Sequence, residues 1–118
     1  MGKLNRAADY SEMQIRTAGK MKGILLLHEG GVKFLQRAIE EPQARRECTT
    51  KAFNVIVQLQ MTLRVQEDGV SEALFILYDY LHRLLDKGDE ASLREGLKLL
   101  EHMTETFRML SRTVGPST

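Results

Sequence analysis

Only two prolines, Pro42 and Pro116, interrupt this chain of 118 residues. Proline is the residue that a helix interior excludes most strongly, because it lacks a backbone donor and clashes with the preceding turn. Long unbroken helices are therefore permitted on both sides of Pro42. No stretch alternates apolar and polar residues for long enough to argue a strand. Apolar residues recur instead at intervals of three and four in four separate segments, and the spacing predicts an all-α chain.

The first helix is expected from about Lys20 to Ile39 or Glu40, with Met21, Leu25, His28, Val32, Leu35 and Ile39 inward and Thr17 or Gly19 as cap. Pro42 ends it or opens the next. The second is expected from about Gln43 to Leu63 or Val65, with Cys48, Ala52, Val55, Ile56, Leu59 and Leu63 inward. The third runs from about Val70 to Lys87 and the fourth from Glu90 to Arg112. Ala73, Leu74, Leu77, Leu81 and Leu85 (or Leu84) form the inner stripe of the third. Leu93, Leu97, Leu100, Met103 or Thr104, Phe107 and Leu110 form that of the fourth. Gly88 is placed to cap the third helix in a left-handed conformation. The Gly30-Gly31 pair costs a helix roughly 1 kcal/mol per residue relative to alanine, which predicts close approach of a neighbouring helix or a kink. Short polar turns make consecutive helices antiparallel neighbours. The fold expected is an antiparallel four-helix bundle over residues 17–113, with an N-terminal segment, 1–16, on or near its surface and a flexible tail at 114–118. Leu4, Tyr10, Met13 and Ile15 are more apolar than a solvated tail needs, so the N-terminal segment is expected to shield a groove.

Several function classes are disfavoured. The formal net charge is +1 with acids and bases interleaved, which gives no field for nucleic acid or an anionic membrane. Ile24–Leu27 is too short to span a bilayer. No secretory leader is evident, and the chain reads as cytoplasmic. The lone Cys48 falls on a core position and reads as a small buried hydrophobe. Asp79 and His82 have the i, i+3 spacing of a metal pair, but a di-metal bundle needs two Glu-x-x-His motifs and two further glutamates. No phosphate loop, serine elbow or zinc spacing is present. The expectation is a non-enzyme with no metal or cofactor.

The segment Leu77 to Leu85 carries more apolar and aromatic groups than one inward face can hold, since three or four per two turns suffice. The surplus, with Leu27, Phe34, Phe53, Val57, Met61, Phe75, Ile76, Tyr78 and Tyr80, reads as a partner surface. A groove between helices would take an amphipathic helix or an extended apolar segment.

Particular motifs carry a resemblance. Tyr10 precedes Ile15-Arg16-Thr17-Ala18, then come Leu27-His28-Glu29-Gly30 and Lys51-Ala52-Phe53-Asn54-Val55-Ile56-Val57-Gln58-Leu59. Tyr78-Asp79-Tyr80-Leu81-His82-Arg83-Leu84-Leu85 is the most specific. Together, from about Tyr10 to Arg112, they resemble the flagellar export chaperone family, FliS. Gly19-Lys20 departs from the family's Ser/Thr-Pro, His28 and His82 replace tyrosines, and Phe107 stands near a family tryptophan. The resemblance implies a cytoplasmic chaperone that binds the C-terminal segment of flagellin, prevents premature polymerisation and holds it for type III export, with a further contact at the export gate. It implies partner contacts at Tyr10, Ile15, Leu27, Phe53, Val57, Phe75, Tyr78, Tyr80 and His82, and a monomer or weak homodimer. The competing reading is a non-flagellar helical interaction module or self-associating adaptor.

Overall fold

The computed structural model describes the backbone of residues 2–63 and 69–114, and the side chains of residues 19–62 and 72–112. Four α-helices follow one another: α1 (Gly2–Glu40), α2 (Arg45–Leu63), α3 (Gly69–Lys87) and α4 (Glu90–Val114). A single 3-10 turn, Pro42–Ala44, joins α1 to α2. Each helix packs on its neighbours in sequence and α4 closes the ring against α1, while the diagonal pair α1/α3 meets through side chains across the core, His28 against Tyr78. The product is the expected antiparallel four-helix bundle.

The turns form where the chemistry allows. Pro42 opens the 3-10 turn at a position where its missing donor costs nothing. Arg45 donates from Nε to the Ala38 carbonyl at 3.0 Å and from Nη2 to the Ile39 carbonyl at 3.4 Å. Its guanidinium thereby satisfies carbonyls that the end of α1 would leave unpaired. Gly88 sits at φ +70°, and its N–H bonds the Leu84 carbonyl. Asp89 caps α4, its carboxylate accepting from the Ser92 N–H at 3.1 Å and the Ser92 hydroxyl at 2.6 Å. Those bonds hold its carboxyl below the usual carboxylate range.

One boundary differs from expectation. Helix α1 starts at Gly2 rather than Lys20 and runs for 39 residues, roughly 58 Å at 1.5 Å per residue, close to the 61 Å long dimension of the molecule. Thr17 and Gly19 do not cap it, because no proline enforces a stop and glycine alone only weakens a helix. The side chains of the proposed shielding residues Tyr10, Met13 and Ile15 lie outside the described residues.

The core is built from Leu35, Ala38, Ala52, Ile56, Leu59, Tyr78, Leu81, Leu93 and Leu100, all fully buried. Close approach of helices explains only one of the paired glycines. A Cβ on Gly31 would stand 2.9 Å from Leu100 Cδ2 and 3.5 Å from Val55 Cγ1, whereas one on Gly30 would meet nothing within 4 Å. Gly30→Ala should therefore stabilise the bundle by about 1 kcal/mol, the helix-propensity difference. Gly31→Val, which adds a Cβ and two methyls to a filled contact, should cost about 1–3 kcal/mol. Denaturant titration of both variants checks this, and equal effects would contradict the close approach at Gly31.

Candidate partner-binding surface

The register of α3 decides what the molecule shows to a partner. Leu74, Tyr78, Leu81 and Leu85 repeat at four, three and four, and this stripe turns inward. At about 100° per residue, Phe75, Ile76, Leu77 and Tyr80 are then carried round the remaining circumference, exposed by 44, 68, 36 and 44 %. An arc of large apolar groups that size is not a by-product of scattered surface residues. Ala73 and Leu77, both expected in the inner stripe, are exposed, and Tyr78, expected at the partner surface, is fully buried.

Tyr78 is held by a polar arrangement inside the core. His28 on α1 is also fully buried. Its Nδ1 lies 2.8 Å from the Ile24 carbonyl and its Nε2 lies 2.7 Å from the Tyr78 hydroxyl. A carbonyl only accepts, so Nδ1 carries the proton in the neutral ring and Nε2 accepts from the tyrosine. Phe107 stacks on the same imidazole at 4.6 Å between ring centroids. Both polar groups are thereby paired, the condition for burying them without a large penalty. Burial pushes the Tyr78 hydroxyl far up from its ordinary value. Burial pushes His28 down from 6.5, with the bond to Ile24 opposing it.

This depression sets the sign of a pH effect. Around and below pH 6.5 the unfolded chain binds a proton at His28 that the folded chain does not, so stability falls as the pH is lowered through that value. Above it the contribution is fully present. Melting temperature should be level from pH 8 to 7 and fall toward pH 5. A His28→Gln variant should be less stable at neutral pH but lose most of that slope. An unchanged slope would mean that His28 is not the group responsible.

On its other side α3 meets α2 along a groove that side chains bridge and that opens at the turn end. Phe53, Val57 and Met61 are spaced four apart on one face of α2. Phe53 and Val57 are half-buried, and Met61 is exposed. His82 of α3 sets its ring 4.2 Å from that of Phe53. Its Nε2 donates to Gln60 Oε1 at 2.9 Å, while its buried Nδ1 has no partner. Burial pushes His82 down, with Asp79 and Asp86 opposing. The Gln60 amide also reaches the Phe75 carbonyl at 3.5 Å, so one side chain of α2 ties two turns of α3. At the turn end the groove widens into a cleft of about 590 Å³ between Phe53, Thr49 and Arg46 on one wall and Leu85 and Asp86 on the other.

The other expected contact residues are dispersed. Leu27 is half-buried against the core on α1, a helix diagonal to α3 in the bundle. Tyr10 and Ile15 belong to α1 with side chains outside the described residues. Tyr80 is exposed and donates its hydroxyl to Glu95 of α4 at 2.7 Å, which also holds that hydroxyl up in pKa. Met109 and Leu110 are exposed on α4; Leu110 had been expected inward. Asp79 pairs with Arg83 at 3.1 Å, and among the described residues no group of His, Cys, Asp and Glu could hold a metal ion. Among those residues, too, no helix is long and apolar enough to cross a membrane. Gln60 escaped sequence reasoning, since nothing in a glutamine's spacing announces a bond across a groove.

The family model described as Flagellar protein FliS matches residues 3–114, nearly the whole chain. No curated protein and no solved structure matches it.

Proposed function

We propose that this chain, which belongs to the FliS family of flagellar proteins and so to a family of flagellar export chaperones, binds the C-terminal segment of flagellin. The segment docks as amphipathic helix on the outward face of α3 and in the α2/α3 groove. One observation carries this reading: Phe75, Ile76, Leu77 and Tyr80 are all exposed round the outward face of α3, from Phe75 on the α2 side, where His82 packs on Phe53, to Tyr80 on the α4 side. A client helix presenting apolar residues at i, i+3 and i+4 fits such a face. Covering the client's own assembly surface keeps it from polymerising in the cytoplasm before type III export. The chain acts by binding, without catalysis, and the export gate receives the complex.

The chain should bind a synthetic peptide of the flagellin C-terminal segment from the same organism, read by calorimetric titration. Burial of apolar surface and folding of the peptide should give a negative heat-capacity change. No heat and no complex on gel filtration would reject the reading. A tight dimer without client, whose dissociation peptide does not promote, would instead assign the same face to a second copy of the chain.

A further inference from the structure

Charges in the cleft at the turn end of the groove are unevenly committed. Arg45 is spent on the last carbonyls of α1. The nearby acids are also taken: Glu41 pairs with Arg37 at 3.0 Å and Glu47 with Lys51 at 3.2 Å. Arg46 lines the cleft, is exposed, and has no ion pair among the described residues. Asp86 lines the opposite wall, and the two are not within ion-pair distance. The α2 wall of the cleft thus carries an uncommitted guanidinium, on the first turn of a helix whose N-terminal dipole also favours an anion. Below Arg46, Thr49 and the half-buried ring of Phe53 continue the wall, and Leu85 faces them from α3.

We infer that Arg46 anchors an acidic side chain of the client helix, one turn away from an apolar side chain that enters the cleft between Phe53 and Leu85. Residues three or four apart share a helix face, so the client signature is an Asp or Glu at that spacing from a large apolar residue. Asp86 on the facing wall disfavours the reversed approach, which would set the acid against a carboxylate. The anchor therefore fixes which way the client lies in the groove, in keeping with the larger role of charge in specificity than in affinity. The inference rests on the functional reading given above.

The test is titration of the full chain with the flagellin C-terminal peptide and with peptides in which each Asp or Glu is changed singly to Lys. Arg46→Lys should bind the native peptide within about twofold of the unaltered chain, because the contact is mainly one of charge. Arg46→Glu should bind it about tenfold more weakly, from lost attraction and added repulsion. A carboxylate in the first turn of α2 is favourable to the helix, so this variant should remain folded. One Lys-bearing peptide should bind Arg46→Glu better than the native peptide does, while binding the unaltered chain worse. Native affinity in Arg46→Glu, or a loss that no charge-reversed peptide recovers, would overturn the inference and leave the functional reading standing. Failure of the unaltered chain to bind the unaltered peptide would overturn both.

Discussion

Tyr78→Ala should remove about 3–5 kcal/mol of stability, while Tyr80→Ala, two residues away, should remove less than about 1 kcal/mol. Tyr78 is fully buried and Tyr80 is 44 % exposed. Truncating Tyr78 empties a ring-sized volume at the centre of the bundle and deprives His28 Nε2 of its donor. Truncating Tyr80 removes the hydroxyl that donates to Glu95 and returns that carboxylate to water, the loss of an exposed contact of small worth. Domains of this size are stable by about 5–15 kcal/mol in total, so the first variant approaches the folding limit. Tyr78→Phe separates packing from hydrogen bonding. It keeps the ring and should cost about 1–3 kcal/mol, the penalty of a buried acceptor left unpaired. Chemical denaturation of the three variants provides the comparison. Equal losses for Tyr78→Ala and Tyr80→Ala would contradict the inward register of α3.

The double variant Phe75→Asp/Ile76→Asp should weaken client binding by about 100-fold or more, since a few buried apolar anchors carry most of an interface's energy. Both side chains are exposed in the isolated bundle, so folding should change little beyond the modest helix propensity of aspartate. Affinity and melting temperature must be read together. A large loss of affinity with a melting temperature within a few degrees of the unaltered chain assigns these residues to the interface. Unaltered affinity would move the interface elsewhere.

Much of this was visible in the sequence, for reasons that can be named. Pro42 and Gly88 marked two turns because each imposes a backbone requirement that few alternatives meet. The stripes of α1, α2 and α4 placed His28, Cys48, Ala52, Ile56, Leu59, Leu93 and Leu100 in the core, because each falls at the three- and four-residue spacing of one helix face. In α3 the same reasoning was ambiguous. Leu74, Leu77, Tyr78, Leu81, Leu84 and Leu85 support two stripes that differ by one residue, and propensity does not choose between them. The choice falls to a tertiary contact: only with Tyr78 inward does His28 find a donor. The start of α1 was misplaced for a different reason. Capping residues permit a helix to begin but do not forbid it to continue, and nothing from Gly2 to Lys20 forbids it. The Gln60–His82 bond and the Arg46 cleft depend on how two helices are rotated against each other, which periodicity within each helix does not encode.

The central claim is that the outward face of α3 and the α2/α3 groove form the client site. Its most direct test is a nuclear magnetic resonance titration of the isotope-labelled chain with the flagellin C-terminal peptide. The largest shift changes should fall on Phe53, Phe75, Ile76, Tyr80 and His82. The opposite groove between α1 and α4, lined by Glu29, Lys33, Glu101 and Arg108, should change little. Changes concentrated in the α1/α4 groove, with the α3 face unaffected by saturating peptide, would contradict the account.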